Sequence, residues 1–287
     1  MKIAIQGGQS SFHHLAAQSY FGEKPMELVE CATFRQLCTT LEKGNADMGV
    51  MAIENSLAGS ILPNYGLLAE YSLQILEEVY LHIDQNLMAL PGQSVYDISQ
   101  VYSHPMALLQ CSRFLEDHPE MVSMETWDTA DSAREIRENK LMGVAAIAGR
   151  KAAEKYGLEL IAPNIHNSEE NYTRFLIVTS GTREIPHHSD KASVNFRLKH
   201  RAGSLADALD LLRRNAFNLT KIQSFPIPNC LDEYSFHVDL EWNGNNNDTD
   251  LFYETMDQLK RISLEVQVLG VYKKGARNHD HSSLTPA

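Results

Sequence analysis

Several short runs set polar and ionisable side chains beside apolar stretches, an arrangement that brings reactive groups to strand ends. Thr173 and Arg174, within Asn171-Tyr172-Thr173-Arg174-Phe175, stand just before the β-prone run Leu176 to Thr179 and pair a hydroxyl donor with a permanent cation. Such a hydroxyl can meet a developing oxyanion, and a guanidinium can hold a carboxylate through two parallel hydrogen bonds. The plainer alternative is a strand-edge threonine next to a surface arginine. Asn55 and Ser56 follow a buried-type apolar run and offer polar side chains at a helix entrance, where an N-cap explains them equally well. Ser103-His104-Pro105 repeats that design. His104 can carry a proton or a charge near neutral pH, or simply cap a helix. Gly7-Gly8-Gln9-Ser10-Ser11 is either an anion-cradling loop or a tight turn, and it lacks the spacing of both GxGxxG and the P-loop. His13 and His14 would point about 100° apart on a helix and so do not converge on one ion. His187 and His188 lie in a polar stretch and read as solvated.

These residues need a scaffold. Lys2 to Gln6 alternates like a strand, Gly7 to Ser11 turns, and Phe12 to Phe21 has helical apolar spacing. The strand-loop-helix unit recurs at Gly49 to Ile53, followed by a mixed segment around Leu57 to Tyr71. It recurs again at Val101 to Ser103 before a helix over Ala107 to Leu115, and at Gly143 to Ile147 before Ala148 to Tyr156. Strands alternating with helices predict a mainly parallel sheet covered on both faces, with ligands at the loops after the strands. A polar stretch with a proline, 181–190, reads as a linker. Beyond it come Ala192 to Lys199 (strand), Ser204 to Asn215 (helix) and Leu219 to Phe225 (strand). Tyr234 to Glu241 (strand), Thr249 to Ile262 (helix) and Val266 to Tyr272 (strand) complete a βαββαβ, ferredoxin-like order. Asn243 to Asn247 reads as a solvated loop, and 274–287 as a frayed tail.

Composition narrows the function classes. The 287 residues carry a formal charge of -12 with no basic stripe, which argues against a nucleic-acid partner. No apolar run is long enough to span a bilayer, and the start is strand-like rather than signal-like, so a soluble, cytoplasmic protein is expected. Four cysteines, Cys31, Cys38, Cys111 and Cys230, have neither zinc-site nor CxxC spacing and are expected to be reduced thiols.

The chain resembles prephenate dehydratases. The blocks that carry the resemblance are Ile53-Glu54-Asn55-Ser56-Leu57-Ala58-Gly59-Ser60-Ile61, Val101 to Cys111 and Asn171 to Phe175, in that order and spacing. Gly203-Ser204-Leu205 and Asn218-Leu219-Thr220-Lys221-Ile222 resemble the family's ACT domain, so the likeness runs from residue 2 to about 273. The sequence departs from the family's Gly-Pro-x-Gly-Thr-Phe-Ser opening, with Gly7-Gly8-Gln9-Ser10-Ser11-Phe12-His13 in its place. Gln223-Ser224-Phe225-Pro226 replaces the usual Glu-Ser-Arg-Pro, and Asn64 and Gly66 stand for the common Thr and Asp.

The resemblance implies an α/β, two-lobed, periplasmic-binding-protein-like catalytic domain over 1–180, with lobe 1 at 1–76 and 157–180 and lobe 2 at 77–156. A linker at 181–190, a ferredoxin-like ACT regulatory domain at 191–273 and a flexible tail at 274–287 would follow. It further implies the conversion of prephenate to phenylpyruvate by loss of CO2 and hydroxide. Aromatisation drives that step, with no metal or other cofactor required. Thr173 would meet the leaving hydroxide, with His104, Glu54 or water as the proton source. Arg174, Asn55, Ser56, Ser11, Ser103 and Phe175 would bind the substrate. L-Phenylalanine would bind at Gly203, Ser204, Leu205, Asn218, Leu219 and Thr220 between the chains of a homodimer or homotetramer and inhibit the enzyme. Competing readings are an arogenate dehydratase and a non-catalytic amino-acid or aromatic-acid sensor on the same fold.

Overall fold

The computed structural model describes residues 1–181, 186, 188–227, 234–243 and 246–276, without the side chains of 226 and 246–248. Cys230, His187, part of the 181–190 linker and all of the tail beyond 276 therefore lie outside the described residues. By contact the described chain forms two compact units, Met1–Ile61 with Val79–Phe175, and Leu62–Glu78 with Leu176–Ala276.

The first sheet contains β1 (Lys2–Gln6), β2 (Glu27–Cys31), β3 (Met48–Asn55), the short β4 (Gly59–Ser60), β5 (Leu73–His82) and, far along the chain, β11 (Tyr172–Ser180). Its order is β2-β1-β3-β11-β5, with β4 hairpinned onto β3. β1 runs parallel to β2 and β3, as expected of right-handed crossovers through α1 (Phe12–Phe21) and α2 (Phe34–Glu42). Ile3, Ala4 and Ile5 are wholly buried, which accounts for the continuous apolar run of a strand covered on both faces. α3 (Leu62–Glu70) starts later than a helix directly behind Asn55 would require. Glu54 and Asn55 instead finish β3 and lead into the β4 hairpin.

The second sheet has the order β10-β6-β9-β7-β8, from β6 (Asn86–Ala89), β7 (Gln100–Ser103), β8 (Val122–Glu125), β9 (Val144–Ala148) and β10 (Glu159–Ala162). It is mixed: β7 runs parallel to β8 and β9, whereas β6 is antiparallel to β9 and β10. The segment expected to be one helix through Leu115 is two, α4 (Pro105–Gln110) and α5 (Ser112–Glu116). Cys111 breaks them apart, with φ -112° and ψ 18°. α6 (Thr129–Asn139) and α7 (Arg150–Tyr156) complete this half.

In the second unit, β12 (Lys191–Arg197), α8 (Ser204–Arg214), β13 (Asn218–Pro226), β14 (Tyr234–Glu241), α9 (Asn246–Ile262) and β15 (Glu265–Tyr272) follow the expected βαββαβ order. The sheet is antiparallel with order β13-β14-β12-β15. α9 begins at Asn246, so the expected solvated loop loses its last two residues to the helix. Alternate strand positions divide the work. Ala192, Val194, Phe196, Val238 and Leu240 pack on Phe252, Met256 and Leu259. The intervening positions on the other face form a buried polar layer: Ser193 Oγ donates to Asp239 Oδ1 (2.5 Å), and His237 joins Asn195 Oδ1 (2.9 Å) and Asp239 Oδ1 (3.2 Å). Tyr65 of α3 lies edge-on to His237. Gly270 fits beneath this same segment, because a Cβ there would sit 2.2 Å from the Ile75 carbonyl oxygen.

Candidate active site

The site begins with one amide. Asn55 ends β3, and its Oδ1 accepts from the N–H groups of Leu57 and Ala58 (2.9 Å each), an Asx turn that fixes the flip of the side chain. With the oxygen so assigned, Nδ2 faces Asn171 Oδ1 (2.8 Å), Thr173 Oγ1 (3.0 Å) and the Tyr172 carbonyl (3.2 Å). Gln110, the last residue of α4, donates to Asn55 Oδ1 (3.2 Å) and accepts from Asn171 Nδ2 (3.0 Å). Asn55, Asn171 and Gln110 thus close a ring of buried amides that ties the end of β3 and the start of β11 to the helix behind β7. Ser56 adds a clamp, its hydroxyl donating to the Glu170 carbonyl (2.7 Å) and accepting from the Tyr172 N–H (3.0 Å).

This network disposes Thr173 for donation. Its oxygen receives a hydrogen from Asn55, so its own proton is left for another acceptor. Thr173 and Arg174 stand inside β11 rather than ahead of a strand, and Arg174 is 4% exposed, which rules out a surface arginine. Adjacent strand positions face opposite ways, so Thr173 and Phe175 share one face and Arg174 takes the other.

His104 caps α4, its Nδ1 accepting from the Met106 N–H (3.2 Å). That bond puts the ring proton on Nε2 in the neutral form. Burial lowers the His104 pKa, with the nearby Glu125 carboxylate pulling the other way. His104 is therefore a neutral N–H donor at physiological pH rather than a ready imidazolium. Ser103, before it, is wholly buried and donates to the Ile147 carbonyl (2.6 Å) inside the sheet.

The opening loop packs against the second sheet's helices. Ser11 caps α1 by accepting from the His14 N–H (3.3 Å), and Ser10 donates its own N–H to His14 Nδ1 (2.9 Å). Gly7 has φ +84°, and a Cβ there would lie 2.6 Å from Asp128 Oδ2, so both conformation and space demand glycine. Asp128 caps α6 through Ala130 and Asp131 N–H groups (2.9 and 3.0 Å). Burial raises its pKa to about 6, against the pull of those same bonds. Lys155 donates to Gln9 Oε1 from α7. His13 sits behind the loop between the rings of Phe34 and Phe175, at centroid distances of 5.4 and 5.1 Å. Desolvation, then the proximity of His104, lowers its pKa to about 3, and its Nε2 is buried without a hydrogen-bond partner.

Residues 3–183 match the family model described as prephenate dehydratase. The chain belongs to the prephenate dehydratase family. It is 32% identical over 275 residues to a bifunctional chorismate mutase/prephenate dehydratase from Aquifex aeolicus, covering 96% of this chain and 74% of that one. Among solved structures it resembles a prephenate dehydratase from Arthrobacter aurescens in complex with L-Phe, with TM-score 0.84, 26% identity and coverage of 95% and 90% of the two chains. It also resembles GqqA, described as a novel type of quorum quenching acylase, with TM-score 0.83, 27% identity and coverage of 96% and 98%. The chain is an enzyme of the prephenate dehydratase family, and its reaction is the decarboxylative dehydration of prephenate to phenylpyruvate.

Of the residues expected at the site, Asn55, Ser56 and Thr173 are brought into one hydrogen-bonded cluster, and Phe175 lies on the same face of β11 as Thr173. Glu54 precedes this cluster on β3, paired with Ser60 of β4. Ser11 and Ser103 are each engaged in local bonds of their own. Sequence reading did not single out Asn171, Gln110 or Asp128. The first two lie inside the runs that carry the resemblance, but an amide's partner 116 positions away has no local signature. Asp128 did have one, an Asp-Thr-Ala-Asp helix start. Among the described residues no cluster of His, Cys, Asp and Glu could hold a metal ion, and no helix is long and apolar enough to cross a membrane.

Proposed function

We propose that Thr173 is the hydrogen-bond donor to the hydroxide leaving prephenate, with Asn55 holding its oxygen so that its proton faces the substrate. The donation from Asn55 Nδ2 to Thr173 Oγ1 at 3.0 Å carries this reading. Hydroxide departs only as negative charge on its oxygen is met, and a donor already oriented needs no reorganisation at that moment. A threonine hydroxyl is too weak an acid to act alone, so Glu54, His104 or water supplies the proton it relays. Arg174 holds a substrate carboxylate or braces β11 from its opposite face; Arg174→Lys separates these, since a brace lowers Tm and a clamp raises KM. Removing the hydroxyl with Thr173→Val is expected to lower kcat roughly 100-fold or more with unchanged Tm. Thr173→Ser should keep much of the rate. Wild-type kcat in folded Thr173→Val ends the assignment. Each variant is assayed by phenylpyruvate formation from prephenate.

We further infer that residues 191–273 form an ACT regulatory domain, joined by the 181–190 linker to a catalytic domain over 1–180. On this reading L-phenylalanine binds between two chains of a homodimer or homotetramer working in the cytoplasm. The βαββαβ sheet supports it, as does the L-Phe bound to the Arthrobacter aurescens relative. Gly203, φ +84°, begins α8, and Asn218 follows the helix's other end. The 11 residues of α8 span about 16 Å, too far for one amino acid to touch both Gly203-Ser204-Leu205 and Asn218-Leu219-Thr220 of a single chain. Two chains bring the two halves together. Thr220 is the extra residue where the β13–β14 register shifts, so its backbone is available to a ligand. Calorimetric titration with L-phenylalanine, run beside initial rates, tests this: binding without inhibition removes regulation, and no binding at millimolar ligand removes the site.

A further inference from the structure

The buried imidazole of His13 has no role in holding the fold that its surroundings reveal. Its ring is wedged between Phe34 and Phe175, and Nε2 is shielded from solvent with no partner. A phenylalanine would fill such a slot at lower cost, because a buried polar atom without a partner forfeits its hydration and gains nothing in return. Unsatisfied groups of this kind in a native protein call for an explanation.

Position supplies one. Phe175, on which His13 stands edge-on, lies two residues beyond Thr173 and on the same face of β11, about 7 Å along the strand. His104 lies close enough to depress the His13 pKa further. His13 thus contacts the ring of Phe175, which shares a face of β11 with Thr173, and lies within electrostatic reach of a second neutral imidazole.

We propose that His13 Nε2 takes its missing hydrogen bond from bound prephenate, donating to an oxygen of the ring carboxylate that leaves as CO2. This rests on the reading of Thr173 as the donor at the hydroxyl end. A carboxylate about to be lost is best held weakly. A full cation would stabilise it in the ground state and raise the barrier, whereas a neutral N–H among phenyl rings orients it in a dry, low-dielectric pocket. Neutral His13 fits that requirement.

The test compares His13→Phe, which keeps the ring and removes the nitrogen, with His13→Gln, which can return an N–H near the same point. Both are assayed beside Thr173→Val with prephenate, and each is melted without substrate. His13→Phe is expected to lose about 10- to 100-fold in kcat/KM, the range for one hydrogen bond to a charged group, with a Tm no lower than wild type. His13→Gln should regain a substantial part of the rate. Wild-type kcat/KM in His13→Phe overturns the proposal, and so does an equal loss in both variants with lowered Tm, which marks a packing role. Loss in Thr173→Val without loss in His13→Phe removes His13 alone. An undiminished rate in Thr173→Val removes the reading on which the inference stands.

Discussion

Asn55→Asp changes one heavy atom and should disable the site. In the native side chain Nδ2 donates toward Asn171 Oδ1, Thr173 Oγ1 and the Tyr172 carbonyl. A carboxylate oxygen in that place faces three acceptors. Asn171 cannot turn to meet it without breaking its own bond to Gln110 at 3.0 Å. Thr173 can turn, but only by spending on the new carboxylate the proton that the proposed mechanism assigns to the leaving hydroxide. Two neighbouring groups then lack donors, at about 1–3 kcal/mol each, and a charge is buried without a cation opposite it. A destabilisation of roughly 3–5 kcal/mol follows, which in a chain of this size lowers Tm by about 5–8 °C. kcat should fall at least ~100-fold even at temperatures where the variant is folded. Urea unfolding gives the first quantity, and steady-state phenylpyruvate formation at 15 °C the second. An Asn55→Asp enzyme that unfolds at the wild-type midpoint and retains kcat would show that the amide neither holds Thr173 nor supports the fold.

Other substitutions probe the framework. Ala216 follows α8 with φ +60°, where glycine is the favoured residue, so Ala216→Gly should raise Tm slightly, corresponding to about 0.5–1 kcal/mol. Asp128→Asn keeps an acceptor for the α6 N-terminus but removes a charge that burial disfavours. The folded-state pKa of Asp128, raised from 3.8 to about 6, means the native protein retains a proton that the unfolded chain releases, so this carboxyl's contribution is most favourable below pH 4 and is lost as pH rises to about 6 and beyond. The histidines with lowered pKa oppose that trend in wild type, so the quantity to measure is the urea stability difference between Asp128→Asn and wild type at pH 5 and pH 8; it should grow at pH 8 to the order of 3 kcal/mol, and a pH-independent difference would contradict the burial argument.

What the sequence revealed and what it concealed follow from the range of the interactions involved. Strands β1, β7, β9 and β14 stand within a residue or two of where alternation and apolar runs placed them, since burial of both faces leaves a local signature. The break at Cys111 between α4 and α5 was invisible, because the apolar spacing continues across it and only the backbone angles record the interruption. Asn55 and Thr173 were identifiable as residues of interest, but the bond between them, 118 positions apart, was not. Asn55 was expected at a helix entrance and is found in a hairpin turn; an Asx turn and an N-cap use the same side-chain chemistry, so local sequence does not separate them. His13 was dismissed as a metal ligand on helix geometry, and that argument says nothing of burial, the property that makes it conspicuous.

On the proposed reading, the chemistry of this site is carried largely by neutral groups. Asn55 bonds Thr173 and is itself held in a ring with the amides of Asn171 and Gln110, while two imidazoles, His104 and His13, are kept uncharged by their environment. Prephenate is a dianion, and a cluster of cations would bind it tightly while stabilising the ring carboxylate whose loss is the reaction. Fixed dipoles discriminate better. If Thr173 meets the leaving hydroxide as proposed, they would be aimed at the oxygen where charge develops and weak where charge must disappear, so a larger share of their interaction would appear in the transition state than in the bound substrate. A rigid ring of amides meets this need because each member is held by at least one other: Asn55 by the Leu57 and Ala58 N–H groups, Asn171 by Gln110, and Gln110 by Asn55. The same reciprocity makes the cluster intolerant of change at any one position, since removing one amide leaves two buried partners unsatisfied.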